Sequence, residues 1–489
     1  MVTRVLVVLV VFVGALSRVL WLDCLPGVNG DEPWVAIQAY RFTHGLPATI
    51  HINPGDRPQF SPCLWAVHLL FSLTGTTDFW YLRVPTVLAS LVACLVVWRG
   101  WGKLLGPAAG WVALLLWSLP AEIMFSRFGW DPSLMTMCVA LAGAAALHGS
   151  LLLIVAALIF GLLNHPFFAI ATPFVALLWL AENKPGWLKP ALLLAQVGGW
   201  GAVLLTYWIG HPLGAPEPDR VNFSRFCAGV PDLLSGQATL AYLVDPAQHA
   251  VGTALSYLLG SALVLALNWI PWRDLRAENG SREGSVGRPA AKRLLACLGG
   301  GLWLSLCGLF LTLGTQGIVP PGERNSLMLV ALLVSWLLTR LTPRKLAPVT
   351  LALCFAGLAL CSRDYFYSLR VNGNRSHRAF MCAPEEPHRT AFRQASQWLA
   401  PGGVIVTDDW HNFQPVTYLA LPYGITVLHV SDPRVADLRR DLLGGCVLVA
   451  HSYGPVMQAA VHLGLPLRHL TIPQAGGREV LEVIALERR

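Results

Sequence analysis

At 489 residues the chain is 55% hydrophobic and only 13% charged, with a mean hydropathy of +0.55. Soluble domains carry about 25% charged residues, so a water-soluble globular enzyme is excluded and a multispanning membrane protein is predicted. The formal charge of +8, from 35 Lys and Arg against 27 Asp and Glu, is explained by basic cytoplasmic loops and supports no nucleic-acid partner.

The first apolar run, Val5 to Leu22, is long enough to cross a bilayer. It continues through Trp21-Leu22 without a small-x-small cleavage site, so it reads as a permanent span and not a signal peptide. Just past its end stand two adjacent carboxylates in Gly30-Asp31-Glu32-Pro33-Trp34. Further apolar windows, broken by Pro, Gly and charges, lie near 83–99, 106–122, 132–148, 150–164, 166–181, 190–209, 249–270, 294–314, 325–340 and 346–362. The fold class predicted is a polytopic α-helical membrane protein of about 11 transmembrane helices with a C-terminal soluble α/β domain. The apolar run Pro62 to Leu73 is too short to cross and is placed along the surface or dipping in.

With a cytoplasmic N-terminus, alternate connections put Arg99 and Lys103, Lys184 and Lys189, Arg273 to Arg293, and Arg340, Arg344 and Lys345 on that side, as the positive-inside rule demands. The opposite face receives 23–82, 123–131, 165, 210–248 and 315–324, plus the tail from Arg363. Two domains follow: a transmembrane domain over 1–362 with a large first extracytoplasmic loop at 23–82, and an extracytoplasmic α/β domain over 363–489. The stretch Pro271 to Lys292 reads as a cytoplasmic linker, and loop 211–248, with Glu217, Asp219, Arg220 and Arg225, as either a lid or a solvated connection.

From about residue 385 the composition becomes soluble. A helical stretch to Ala400 precedes Pro401-Gly402-Gly403, a strand Val404 to Thr407, and further β/α alternation around Ile425 to His429, Cys446 to Ala450 and Val480 to Leu486. This predicts a mainly parallel sheet, without a GxGxxG or Walker A sequence. Asp408-Asp409-Trp410-His411 after the first strand suits a metal, a sugar or simply a helix N-cap. Eleven Cys without CxxC spacing give no zinc site and no disulfide framework. Cys24, Cys63, Cys382 and Cys446 are the ones placed to meet an oxidising compartment.

The chemistry concentrates on the extracytoplasmic turns. Asp31 and Glu32 share a loop with Arg41, His51, Asn53, Asp56 and Arg57, and ionised groups beside a membrane are costly unless paired or functional. A bland alternative makes Asp31 a helix N-cap with Glu32 and Pro33 in the first turn. Asp131 falls at the next such turn, in Ser126-Arg127-Phe128-Gly129-Trp130-Asp131-Pro132, and Arg324 at a third, in Glu323-Arg324. Asn164-His165-Pro166 breaks a pair of spans on the same face, where His165 either touches substrate or only makes a turn. His68, on the short apolar run, is read as a core or interface residue. A carboxylate base plus guanidinium groups is what transfer from a phosphate ester requires.

Asp31-Glu32 and an amphipathic stretch, then Arg57-Pro58 with an apolar helix and Gly75, then Arg83-Val84-Pro85, then Ser126-Arg127 with Asp131-Pro132, resembles the membrane glycosyltransferases of the protein O-mannosyltransferase and aminoarabinose (lipid A) transferase type. These have the GT-C fold, and the resemblance covers roughly residues 1–180 with an echo at Glu323-Arg324. It implies a polyprenyl-phosphate sugar donor, an extracytoplasmic acceptor (lipid, glycan or protein) and a multi-pass protein of the inner or plasma membrane. Asp31 would be the catalytic base with Glu32 its neighbouring acid. Arg57 and Arg324 would hold the donor phosphate, Asp131 would orient the acceptor or a phosphate-binding Arg, and Arg127, His51 and His165 would bind substrate. Inversion at the anomeric carbon follows, with no cofactor required and no metal indicated. The chain departs from the family pattern where Arg57 stands for Lys and where Gln59-Phe60-Ser61 follows Pro58. The rival from another class is a transporter or flippase for a lipid-linked or anionic substrate. It is disfavoured because no repeated halves are visible and the polar groups sit at loop ends.

Overall fold

The computed structural model describes residues 2–25, 27–28, 31–46, 61–106, 108–165, 168, 171–183, 343–367, 385–408, 410–435, 445–452, 455–462, 464, 466–473 and 479–486. The expected spans at 190–209, 249–270, 294–314 and 325–340, the linker 271–292 and the loop 211–248 lie outside the described residues.

Helix α1, Val2–Val19, is followed after a short connection by α2, Asp31–Thr43, and then α3, Pro62–Thr74. Next come α4, Phe79–Gly100, the single turn α5, Gly102–Leu105, and α6, Ala108–Ser118. Among the described residues, α1 and α4 are the two helices long and apolar enough to cross a membrane. At 1.5 Å per residue they span about 27 and 33 Å, against a hydrocarbon core of about 30 Å. The expected span 106–122 is instead two helices, because Pro120 removes a backbone donor and opens α7, Pro120–Ser126, after the break at Leu119. The next window begins with a 3₁₀ turn, Asp131–Leu134, that leads into α8, Met135–His148. Helices α9, Leu151–Asn164, α10, Thr172–Asn183, and α11, Pro343–Cys361, complete the described bundle, and a π-helical turn Ser362–Tyr367 follows α11.

Small residues set the close helix contacts. A Cβ on Gly14 of α1 would lie 2.3 Å from Trp117 Nε1 of α6, and that indole donates to the Val11 carbonyl at 3.1 Å. Arg18, fully buried one turn further on, stacks its guanidinium 3.8 Å above the Trp117 ring and donates to Ser90 Oγ and the Gly14 carbonyl. Such a charge inside a helical bundle is tolerated because ring, hydroxyl and carbonyl share it. Helices α2 and α3 pair in the first loop through the stacked rings of Phe42 and Trp65 and a 3.1 Å contact of Thr43 with His68, which is thus an interface residue.

The C-terminal domain holds α12, Glu385–Trp398, β1, Ile405–Thr407, α13, Trp410–Ala420, β2, Val427–His429, β3, Val447–His451, α14, Pro455–His462, β4, Leu467–Pro473, and β5, Glu479–Leu486. The sheet order is β2-β1-β3-β5-β4. Strand β1 pairs in parallel with β2 and β3, whereas β5 is antiparallel to both β3 and β4. The sheet is therefore mixed, which corrects the mainly parallel expectation: the hairpin β4–β5 folds back so that β5 fills the place beside β3. Alternation along the strands divides the core. Ile405, Val447, Val449 and Val483 pack with Ala391 of α12 and Val416 of α13, while Val406, Leu448 and Ile484 pack with Met457 and Ala460 of α14.

The domain is seated on the bundle. Tyr418 of α13 is buried within the bundle's own apolar cluster, its ring 4.9 Å from Phe79 in an edge-on arrangement and its hydroxyl donating to the Thr77 carbonyl. Helix α13 also packs along α2, so the soluble domain rests on the helix that carries Asp31.

Candidate functional site

Asp31 and Glu32 occupy the first turn of α2, where their charge complements the helix dipole and Pro33 costs no hydrogen bond. The two carboxylates then part company. Asp31 is half-buried, whereas Glu32 is fully buried. Glu32 Oε1 accepts from Arg83 Nε at 3.0 Å and Oε2 from Arg83 Nη2 at 2.9 Å, a bidentate pair with neither side chain exposed. Its Oε1 also accepts the backbone N–H of Gly129 at 2.6 Å. Arg83 donates further to the Leu22 carbonyl at 2.8 Å and the Gly27 carbonyl at 3.4 Å. A single buried cluster thus ties the α1–α2 connection, the start of α2, the second turn of α4 and the turn before Asp131.

Arg127 follows the same logic. It is fully buried, with Nη1 on the Ser17 carbonyl at 2.8 Å and Nη2 on those of Leu20 at 2.7 Å, Trp21 at 3.2 Å and Leu25. Ser17 and Leu20 lie at the end of α1 and Trp21 and Leu25 in the turn that follows it, and a fork of N–H donors suits such a cluster of carbonyls. Its guanidinium also lies 5.1 Å from the Phe366 ring centre. The structure therefore directs Arg127 to backbone carbonyls, where the sequence reading directed it to substrate, and directs Glu32 to an ion pair, where the sequence reading made it an acid beside the base.

Asp131 is buried at the head of its 3₁₀ turn. Its carbonyl accepts from Asn164 Nδ2 at 2.8 Å, and Asn164, itself fully buried, is the last residue of α9. His165 is the extended residue that ends α9, so it sits one peptide from the group that grips Asp131. Burial pushes the Cys63 thiol well up, and the carboxylates of Asp131 and then Glu32 add to it, so α3 lies over the same acidic cluster. Cys24 and Cys63 are free thiols, Cys24 exposed and Cys63 buried.

Gly129 is the hinge of this geometry. A Cβ there would lie 2.6 Å from the Leu82 carbonyl oxygen and 2.5 Å from Leu82 Cγ, so only glycine lets the Asp131 turn press on α4 close enough to reach Glu32. Thr86, on α4, fixes the neighbouring Ser126 carbonyl at 2.8 Å.

Of the residues expected at the site, the structure brings Asp31, Glu32, Arg127, Asp131 and His165 to one end of the bundle through these links. Arg57, His51 and Arg324 lie outside the described residues. Arg83, Gly129 and Asn164 are the members that sequence reasoning left without a role. The available signal for Arg83 was its position inside an apolar helix, where a charge needs a partner. Among the described residues no three His, Cys, Asp or Glu side chains converge as metal ligands would. In the C-terminal domain Asp408 accepts from Asn412 Nδ2 at 2.7 Å and from the His451 N–H at 2.8 Å, so it braces β1 against β3 and α13; Asp409 lies outside the described residues.

No protein-family model and no curated protein sequence matches the chain. Solved structures do. One, described as ArnT from Cupriavidus metallidurans in the apo state, superposes with a TM-score of 0.53 at 15% identity, covering 99% of this chain and 98% of that one. Another, the same protein bound to undecaprenyl phosphate, gives 0.48 at 13% identity, covering 98% and 97%. The likeness to the first extends over both domains and shows a shared fold, the GT-C architecture with a C-terminal domain.

Proposed function

We propose that this chain, with its GT-C fold, is a membrane glycosyltransferase that moves a sugar from a polyprenyl-phosphate carrier to an extracytoplasmic hydroxyl acceptor. The observation that carries the reading is the buried Glu32–Arg83–Gly129 cross-link, which holds the Asp31 end of α2 against the turn that bears Asp131. Placement in a bilayer is supported by α1 and α4, long and apolar enough to cross it. Large apolar side chains also face outward on α1, α4 and α9, among them Val8, Leu88 and Leu152, a surface that water disfavours and hydrocarbon does not.

In this mechanism Asp31 takes the proton of the acceptor hydroxyl as its oxygen attacks the anomeric carbon. The bond from that carbon to the phosphate oxygen breaks, polyprenyl phosphate leaves, and the anomeric configuration inverts. Arg57 and Arg324 neutralise the departing phosphate, so neither cofactor nor metal is needed. Asp131 orients the acceptor, and His51 and His165 bind substrate. Glu32 and Arg127 act as positioning residues: with Arg83 they fix the connection between α1 and α2, so that the half-buried Asp31 keeps its place while its neighbour's charge is spent on an arginine.

The test is transfer from radiolabelled polyprenyl-phosphate sugars in membranes containing the full chain. Asp31→Asn should lower transfer by about 10²- to 10⁴-fold, the usual worth of a general base, at unchanged membrane abundance. Normal turnover by that variant rejects the assignment.

A further inference from the structure

A cavity lies toward the other end of the bundle from Asp31. It is about 420 Å³ in volume and is walled by Val7 and Val11 of α1, Leu95 and Trp98 of α4, and Trp111 and Trp117 of α6. Several of its walls are also outer surface, since Val11, Leu95 and Trp98 are each close to half exposed, so the groove opens sideways from the bundle. Its volume is roughly three times the ~150 Å³ of an apolar cavity that admits benzene, which suits a chain more than a ring. The groove lies between the N-terminal half of α1, the C-terminal half of α4 and α6 from Gly110 to Trp117, with the end of α4 and the start of α6 meeting on one side where Trp98 faces Gly110.

Cations stand at the mouth on that side. Arg99 stacks its guanidinium 4.6 Å from the centre of the Trp98 ring, which itself lines the groove. Arg4 is exposed and one helical turn before Val7, hence on the groove face of α1 and inclined toward its N-terminal end. An apolar slot in membrane-spanning helices with exposed arginines at its rim matches an amphiphile that has a hydrocarbon tail and an anionic head.

We propose that this groove binds one acyl chain of an anionic phospholipid in the leaflet facing the α1 N-terminus, with the phosphate between Arg4 and Arg99. The proposal rests on the placement of these helices in a bilayer and not on the transferase reading, since the groove is remote from the Asp31 end. Each arginine near a lipid head group contributes about a fivefold preference for the anionic lipid, so the two together give on the order of twenty-five-fold.

The purified full chain is incubated in detergent with equal amounts of phosphatidylglycerol and phosphatidylcholine of the same chain length, and the lipids retained are read by native mass spectrometry. The wild-type chain should keep one phosphatidylglycerol with that preference, and R4Q/R99Q, two surface changes that leave the core intact, should bring the two lipids near parity. Gly110→Leu should cut retention of both, because Gly110 lines the groove and faces Trp98 across it. Gly110→Ala, whose Cβ makes only ordinary 3.5 Å contact with Trp98, is its folding control. Equal retention of both lipids by the wild type, or an unchanged preference in R4Q/R99Q, overturns the proposal. So does displacement of phosphatidylglycerol by equimolar polyprenyl phosphate, which would assign the groove to the sugar carrier. A chain found in the soluble fraction would remove the bilayer premise itself.

Discussion

Arg83 reaches across from α4 to grip Glu32 with two parallel hydrogen bonds of 3.0 and 2.9 Å, and neither side chain has any exposed surface. The pair gains modestly from its own attraction because both charges have lost water. Its value is positional, since one carboxylate oxygen also holds Gly129 and the guanidinium also holds the α1–α2 connection. Arg83→Ala leaves Glu32 buried without its cation and is expected to destabilise the protein by about 3–5 kcal/mol. Arg83→Lys should rescue little, because one ammonium cannot reproduce a fork that meets a carboxylate and two carbonyls. Thermal unfolding of the detergent-solubilised variants checks both, and a wild-type melting temperature in Arg83→Ala would contradict the clamp.

Gly129→Ala places a Cβ within 2.6 Å of the Leu82 carbonyl oxygen. The turn must back away, which lengthens the 2.6 Å bond to Glu32 and shifts Asp131. A destabilisation of about 1–3 kcal/mol is expected from the overpacking, together with loss of transfer. Leu82→Ala in the same chain removes the Cγ contact but not the carbonyl, so rescue should be partial. The paired melting and transfer measurements read this directly.

Tyr418→Phe keeps the ring on Phe79 and deletes the hydroxyl that donates to the Thr77 carbonyl. A cost of about 1 kcal/mol is expected from the lost hydrogen bond. Tyr418→Ala also empties a site in the bundle's apolar cluster and should cost about 3–5 kcal/mol. Limited proteolysis between α11 and α12 reports the seating of the soluble domain, and cleavage should quicken in the order wild type, Phe, Ala.

At the surface of the C-terminal domain, hydrogen bonds from the Arg434 side chain and then its backbone N–H hold Asp432 down to about 2 from an ordinary 3.8. The folded chain therefore binds this proton less readily than the unfolded one. The pair's contribution is present above pH 3.8 and is lost as pH falls through about 2. Because the pair is solvent-exposed, the contribution is small and weakens with salt. Arg434→Ala should return the Asp432 titration, followed by NMR, toward 3.8; a titration that stays near 2 would refute the pairing.

The acid pair past the first span, the long apolar helices α1 and α4, and the change to a soluble α/β tail were all legible, because each is a matter of composition or period. What residue type leaves open is the partner. Arg127 satisfies carbonyls at the end of α1, and nothing local to Ser126-Arg127 says that the helix end lies beside it. Glu32 and Asp31 are neighbours in sequence but face different surroundings, since successive helix positions are about 100° apart. The break at Pro120 was hidden by a continuous apolar window, which records hydrophobicity and not helix continuity. Strand β4 escaped because Leu467-Arg468-His469-Leu470 is half polar and Pro473 ends it, both of which an edge strand tolerates.

Glu32 precedes Arg83 by 51 residues and Gly129 by 97. During synthesis the acid therefore leaves the ribosome well before either of its mates exists, and must wait hydrated or protonated at the bilayer edge until α4 and the turn beyond α7 have been made. The Asp31 end of such a molecule is assembled late, by chain segments that insert after it. Stalled or truncated products ending before Gly129 would carry an incomplete clamp, recognisable to quality control by an acid with no home.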